Sequence, residues 1–229
     1  MRPNRLLFSV ILVFAGACQT AQMEVAPPLA STASMDVHGA NPRRWNTPLH
    51  FGPWWTIEAR EGMTWQFSHR LLGLDAGFAF QPYRFVLATE DQPLQGECVT
   101  RALALTRKGV SLDPSLGKLP PLACGFQGEA GEGTLRLRNT LRNTEQGEVT
   151  FGGTTWEIRS VHQIVGGKLR TGDPVGYEIR NGDQILAAVE TINHGRVWMA
   201  PPLSEEDQAR VALVATALLM YEPAVADAG

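Results

Sequence analysis

The stretch that decides the fold is S-E-E-D-Q-A-R-V-A-L-V-A-T-A-L-L-M-Y-E-P, from Ser204 to Pro223. It predicts a helix, because the Ser204 side chain can accept a hydrogen bond from the backbone N–H of Asp207 and the final proline stops the helix. From Val211 to Tyr221 only Thr216 is not apolar. A helix on a protein surface is apolar along one stripe, so this helix needs apolar surroundings on every side.

Three environments could accommodate this helix. A membrane span is excluded by length, because Val211–Tyr221 covers roughly 16 Å, against about 30 Å of hydrocarbon. A helix packed on the outside of a sheet or barrel needs a polar outer face, but Val211, Leu213 and Met220 point in different directions. A helix enclosed by strands explains burial on all sides. The prediction is therefore a mainly β fold, a closed antiparallel β-barrel around a hydrophobic C-terminal helix.

The rest of the chain favours strands. It has 23 Gly and 15 Pro among 229 residues, with 44% hydrophobic residues, a composition typical of β-rich globular proteins. G-T-L-R-L-R-N at 133–139 places Leu135 and Leu137 on one face and polar residues on the other. Asn181-Gly182 suits the positive φ values of a type I′ turn. Further strands are predicted at 83–89, 98–105, 122–127 and 196–200, with turns at Gly152-Gly153 and His194-Gly195 and a stop at Pro201-Pro202.

The N-terminus is typical of a secretory signal, because two arginines precede a short apolar run, Leu6–Phe14. The A-G-A-C that follows, Ala15 to Cys18, resembles the lipobox of bacterial lipoproteins. The resemblance implies cleavage before Cys18, diacylation of its sulfur and, with Gln19 next, sorting to the outer membrane. An ordinary secretory peptide that is cut elsewhere is the alternative.

These features divide the chain into four parts. Residues 1–17 are predicted to be a signal peptide, and residues 18–40 a flexible tether, because they are rich in Ala, Ser, Thr and Pro without an apolar period. One β-barrel domain with the C-terminal helix is expected at 41–223, and a disordered tail at 224–229.

Two cysteines remain in the exported part, Cys98 and Cys124. An even pair in an exported protein indicates a disulfide, which at this loop length stabilises the fold by roughly 3–4 kcal/mol. Two separate buried thiols are the alternative. A metal site on the two cysteines is disfavoured, because no histidine lies close to either in sequence.

The C-terminal part of the chain resembles a known superfamily. G-Y-E-I-R-N-G-D-Q-I-L-A-A-V-E-T-I…V-W-M-A…L-S-E-E-D-Q-A-R-V-A-L-V-A-T-A-L-L-M-Y-E, within Gly176–Glu222, is similar to the final hairpin, last strand and central helix of the tubby-like superfamily. That superfamily includes the LURP-one-related proteins and the phospholipid scramblases. The resemblance implies a barrel around a central helix and a role at membranes, such as lipid handling. It carries over no ligand-binding residue.

A second resemblance implies another kind of barrel. F-G-P-W-W-T-I-E-A-R, Phe51–Arg60, is similar to the lipocalin signature at Gly52 and Trp54, whereas Glu58 is an extra residue before Ala59-Arg60. This resemblance implies the alternative fold, a lipocalin-like barrel with an external helix, and a carrier role for a hydrophobic ligand.

No motif for catalysis or metal binding is present in the sequence. Its five histidines lack metal-binding spacing, no G-x-S-x-G elbow occurs, and Gly166-Gly167-Lys168 lacks the flanking residues of a phosphate-binding loop. His162 is expected to be a core or surface residue and His194 a turn residue. We therefore predict no catalytic residue, no metal and no cofactor.

Basic residues cluster in the second half of the chain. On neighbouring strands they would suit phosphate headgroups, but with Glu148 and Glu157 nearby a solvated outer face is the favoured interpretation. The cluster consists of Arg136, Arg138, Arg142, Arg159, Lys168 and Arg170.

Together these patterns predict a non-enzymatic, lipid-anchored envelope protein with a structural or binding role. Its expected partners are the membrane, through the lipid on Cys18, and lipid or another envelope protein. Nucleic acid is disfavoured by the net charge of −3. The alternatives are a lipocalin-like carrier and an envelope hydrolase whose catalytic residues are distant in sequence.

Overall fold

The computed structural model describes residues 20–39, 48–71, 74–88, 93–107, 110–112, 120–140 and 144–223. The predicted signal peptide, Cys18 and the predicted tail at 224–229 lie outside these residues. The described elements, in chain order, are α1 (Pro27–Ala30), β1 (Met35–Asp36), β2 (His50–Phe51), β3 (Trp54–Glu61), β4 (Trp65–Leu71), β5 (Leu74–Ala88), β6 (Pro93–Arg107), β7 (Val110–Leu112), β8 (Leu122–Gln127), β9 (Gly133–Thr140), β10 (Thr144–Phe151), β11 (Thr154–Val161), β12 (Gly176–Asn181), β13 (Gln184–Glu190), β14 (Arg196–Met199) and α2 (Glu205–Leu219).

The strands form one antiparallel sheet whose two edges meet. Its order is β1-β14-β13-β12-β11-β10-β9-β8-β6-β5-β3-β2, with β4 beside β5 and β7 beside β6. The chain continues from β1 to His38, whose backbone exchanges two hydrogen bonds of 2.9 Å with His50 of β2. The result is a nearly closed antiparallel barrel, so the predicted fold class is confirmed.

Each predicted strand coincides with an observed one. In two hairpins, the φ angles of the turn residues identify the type of turn. Gly152 and Gly153 both have positive φ, 52° and 92°, as a type I′ turn requires. In the later hairpin Asn181 pairs with Gln184, so the turn residues are Gly182 and Asp183. Only Gly182 has a positive φ there. The type I′ prediction is wrong, and the turn instead fits type II′.

Helix α2 fills the barrel. The Ser204 side chain accepts a hydrogen bond from the N–H of Asp207 at 3.1 Å, as predicted. All residues from Val211 to Leu219 are buried, and the helix contacts β6 on one side of the barrel and β13 and β14 on the other. The alternative fold with an external helix is therefore wrong, because such a helix would leave one face in solvent.

No helix in the described part of the chain has the length and apolar character that a membrane crossing needs.

The two openings of the barrel are named the N rim and the C rim, after the end of α2 that each one holds. At the N rim, Nε of Arg210 donates to the carbonyl of Ala130 at 2.9 Å. At the C rim, the Tyr83 hydroxyl donates to the carbonyl of Ala217 at 2.9 Å. Strands β9, β11 and β13 end at the C rim, where β10, β12 and β14 begin.

The prediction of a flexible tether over 18–40 is wrong for residues 20–39. Met23, Leu29 and Val37 are buried against the barrel, and β1 pairs with β14. Met23 and Leu29 pack in one cluster with Trp198, whereas Val37 joins the core of the barrel. The folded domain therefore begins well before residue 41.

The extra residue in the lipocalin-like stretch is accommodated as a bulge. Thr56 pairs with Leu87 and Glu58 pairs with Val86, so Ile57 has no partner in the ladder. A bulge of this kind bends the strand that carries the extra residue and increases its local twist.

Strands β5 and β6 are each 15 residues long and extend beyond the barrel. Residues 83–88 of β5 pair with β3, and residues 95–100 of β6 pair with β8. Beyond these points β5 pairs with β4, and the end of β6 pairs with β7. We name this four-stranded extension the arm: β4, residues 74–82, residues 101–107 and β7. It leaves the barrel at the C rim.

Candidate functional site

A polar network lies at the C rim, centred on Glu145. This residue stands at the start of β10, points into the barrel and is 8% exposed. The Tyr177 hydroxyl donates to its Oε2 at 2.6 Å, and the Tyr221 hydroxyl donates to its Oε1 at 3.0 Å. In the described part of the chain Glu145 forms no ion pair, so the two hydroxyl groups are the polar partners of its carboxyl oxygens.

A serine and a histidine extend this network. The N–H of Glu145 donates to Oγ of Ser160 at 3.0 Å, and Oγ lies 3.1 Å from Nε2 of His162. Nδ1 of His162 lies 3.1 Å from the carbonyl oxygen of Thr171. Because a carbonyl only accepts, Nδ1 carries the proton, and Nε2 accepts from the Ser160 hydroxyl.

The Ser160–His162 pair has the geometry of a nucleophile beside a base, but its surroundings suit a structural role. Oγ already accepts from a backbone N–H, and His162 is buried. Burial lowers the pKa of His162, so the ring stays neutral. The pair therefore ties β10 and β11 to the loop that carries Thr171.

Burial also governs the acidic groups of the network. It raises the pKa of Glu145, and the hydroxyl groups of Tyr177 and Tyr221 oppose this shift. Burial likewise raises the pKa of both tyrosines, which therefore remain hydrogen-bond donors. Because Tyr221 follows α2, the network fastens the end of the helix to the barrel wall.

This network was not predicted from the sequence, apart from the expectation that His162 is a core or surface residue. Its members are distant along the chain and share no motif. One signal was available. Glu145 is an even number of residues away from Val149 and Phe151, so the three side chains lie on the same face of a strand. A strand that buries Val149 and Phe151 therefore also buries the carboxylate.

Cys98 and Cys124 stand directly opposite each other on β6 and β8. Both side chains point into the barrel, and their Sγ atoms are bonded at 2.08 Å. The pair predicted from the sequence therefore forms a cross-strand link on the inner wall.

The three described members of the basic cluster that lie on strands point to the outside of the barrel, in agreement with the favoured interpretation. Arg136 and Arg138 on β9 and Arg159 on β11 are exposed, with Glu148 and Glu157 between and beside them. Arg159 pairs with Glu157. Arg142 lies outside the described residues, and Lys168 and Arg170 belong to the loop after β11.

One face of the arm is aromatic and exposed. Trp65 and Phe67 on β4 stand opposite Phe80 and Phe78 on β5. The rings of Trp65 and Phe67 stack on Phe80 at centroid distances of 6.3 and 6.1 Å. Trp65, Phe67 and Phe78 are 48%, 56% and 40% exposed. We name this surface the aromatic face; Leu103 and Leu105 of β6 extend it.

The aromatic face continues the outer surface of the barrel. Tyr83, Phe85 and Leu87 of β5 point inward, and β5 pairs with β6 without any register shift. Phe78 and Phe80 are an odd number of residues away from these three, so they lie on the other face of the strand and point outward. The opposite face of the arm has small and polar residues. A sheet in water normally buries its apolar face, and a contiguous exposed apolar patch marks an interaction site.

The aromatic face was not predicted, although W-Q-F-S-H-R-L at 65–71 alternates clearly. Alternation shows that two faces differ but not which one is buried. One feature of the sequence indicated the exposed face. Along one strand the aromatic residues change from even positions, Phe78 and Phe80, to odd positions, Tyr83 and Phe85, so the two pairs lie on opposite faces.

In the described ranges no group of three or more His, Cys, Asp or Glu side chains is placed to hold a metal ion. Cys18 lies outside those ranges, and its lipidation stays a prediction. Comparison of the chain with protein-family models, curated proteins and solved structures finds no match, so the tubby-like resemblance also stays a prediction.

Proposed function

We propose that this protein is a non-enzymatic, lipid-anchored envelope protein whose arm docks on a lipid bilayer. The aromatic face carries this proposal. Tryptophan is enriched where a bilayer meets water, and Trp65 heads a row of outward aromatic residues. Arg101 stands opposite Phe80 on the same face, where a guanidinium can reach lipid phosphate.

The filled barrel supports surface binding over a carrier role. A carrier of lipocalin type holds its ligand inside the barrel. In this chain α2 occupies that space, and Val211–Leu219 are buried there. Binding to the outer surface is the mode that this architecture leaves.

Quenching of the fluorescence of Trp65 by bilayer lipid tests the docking proposal directly. The full chain is extracted from membranes in detergent and reconstituted into vesicles that contain brominated phosphatidylcholine, which quenches tryptophan in the bilayer. The chain has six tryptophans, so we compare wild type with Trp65→Phe. We expect the wild type to show a quenched component that the variant lacks.

Trp156→Phe is the matched control, because Trp156 is buried inside the barrel. We expect this variant to keep the quenched component. Equal quenching of wild type and Trp65→Phe would overturn the docking proposal. Dimeric sedimentation of wild type, lost in Trp65→Phe, would assign the aromatic face to a second copy instead.

Anchoring is tested separately by labelling cells with radioactive palmitate. We expect label on the wild type and none on Cys18→Ala. Equal label on both would refute lipidation at Cys18.

A further inference from the structure

The loop between β11 and β12 presents apolar and basic side chains at the C rim. Val165 and Leu169 are 64% and 82% exposed, and Lys168 and Arg170 are exposed beside them. The loop is closed at its base, where the N–H of Thr171 donates to the carbonyl of His162 at 2.9 Å. Large apolar side chains flanked by cations form a surface suited to the interface of an anionic bilayer.

The start of the described chain is fixed to this same loop. The N–H of Glu24 donates to the carbonyl of Gln163 at 2.9 Å, and the N–H of Val165 donates to the carbonyl of Gln22 at 2.8 Å. Met23, between them, is buried. The N-terminal segment therefore leaves the barrel beside the loop.

The short distance to Cys18 limits how the barrel can stand on a membrane. An extended chain from Cys18 to Met23 reaches at most about 17 Å. The N rim lies farther away by the length of α2, about 22 Å for its 15 residues. A lipid on Cys18 thus brings the C rim, with the loop at 163–170, towards the bilayer.

We infer that residues 163–170 form a second membrane contact, distinct from the arm. Val165 and Leu169 enter the interfacial layer, and Lys168 and Arg170 bind the phosphate groups of anionic lipids. The inference rests on the proposed anchor at Cys18. It adds an orientation, because the anchor and the loop together turn the C rim towards the membrane.

The test uses the full chain in the background Trp65→Phe, reconstituted into vesicles with brominated phosphatidylcholine. Leu169→Trp places a reporter in the loop, and Thr155→Trp places a matched reporter on the exposed outer wall near the N rim. We expect bromolipid to quench the reporter at 169 and to leave the reporter at 155 unquenched.

The role of charge is tested by adding Lys168→Gln and Arg170→Gln to Leu169→Trp. In vesicles that also contain phosphatidylglycerol, we expect the double replacement to reduce quenching at position 169. In vesicles of phosphatidylcholine alone, we expect little change. Equal quenching in both lipids with and without the double replacement would overturn the role of anionic phosphate.

The outcomes separate this inference from the proposed function. Quenching of Trp65 without quenching at 169 would leave the docking of the arm intact and refute the loop contact. Quenching at 169 without quenching of Trp65 would retain the loop and refute the docking of the arm. Quenching at 155 comparable to that at 169 would refute the orientation.

Discussion

At the scale of single residues, the buried carboxyl group of Glu145 is the feature most sensitive to solution conditions. Two tyrosine hydroxyl groups satisfy its oxygens, but burial favours the neutral acid. Burial raises the pKa of Glu145 from its ordinary value of 4.5. Between the unfolded and folded pKa values the folded chain binds more protons, so the contribution of Glu145 to stability falls as the pH rises.

Replacement of Glu145 by glutamine removes this titration. We expect the free energy of unfolding of Glu145→Gln, measured relative to wild type, to increase as the pH rises from about 4.5 towards neutrality. Urea unfolding at a series of pH values measures the difference. Gln146→Ala, on the outer face of the same strand, changes no titratable group and should give a difference that does not vary with pH. A flat difference for Glu145→Gln would contradict the argument.

The variant Ser160→Ala tests whether the contact between Ser160 and His162 has a structural role. Ser160→Ala leaves the N–H of Glu145 without its acceptor, so we expect a loss of about 1–3 kcal/mol in the free energy of unfolding. Urea unfolding provides the measurement. A variant as stable as wild type would remove the structural role and would favour the hydrolase alternative.

At the scale of elements, α2 serves as the core of the barrel. Leu213 has no exposed surface, and its replacement by alanine leaves a cavity that rigid strands cannot close. We expect Leu213→Ala to lower the free energy of unfolding by about 2–5 kcal/mol, measured by urea unfolding. Leu169→Ala, in the exposed loop, should change it by less than about 0.5 kcal/mol. Similar small effects for both variants would contradict an enclosed helix.

The disulfide links two strands that are already neighbours. We expect the double variant Cys98→Ala/Cys124→Ala to fold into the same barrel and to lose roughly 3–4 kcal/mol of stability, because the unfolded chain regains the freedom of the closed loop. Reduction of the wild type should produce a similar loss in urea unfolding, whereas the double variant should not respond to reductant. A wild type that is insensitive to reductant would contradict the link.

At the scale of the whole molecule, the barrel and its central helix could be predicted from the sequence, whereas the polar network and the packing of residues 20–39 could not. The apolar run of α2, which only Thr216 interrupts, predicted a helix enclosed by strands, because a helix on the outside of the barrel would leave apolar side chains in solvent. The alternating residues of β9 predicted an inner and an outer face. The polar network was hidden, since Glu145, Ser160 and Tyr221 meet only after the barrel closes. The packing of residues 20–39 was hidden as well, because Met23, Leu29 and Val37 are isolated apolar residues without a period.

The N-terminal segment, residues 20–39, joins the two edges of the sheet. Its continuation to His38 lies between β14 and β2, the two strands that would otherwise be open sheet edges. Open edges expose unpaired N–H and C=O groups and promote association between chains. The segment therefore contributes both apolar burial and the hydrogen bonds that bring the two edges together.

Two shortened chains test this contribution. A chain of residues 41–229, which starts at the boundary predicted from composition, lacks the buried side chains of Met23, Leu29 and Val37. At about 1.5–3 kcal/mol for each, we expect it to be less stable than a chain of residues 20–229 by at least about 4 kcal/mol in urea unfolding. Because its sheet edges are open, we also expect it to self-associate in sedimentation velocity, whereas the longer chain stays monodisperse. Equal stability and equal sedimentation of the two chains would mean that the barrel closes without the N-terminal segment.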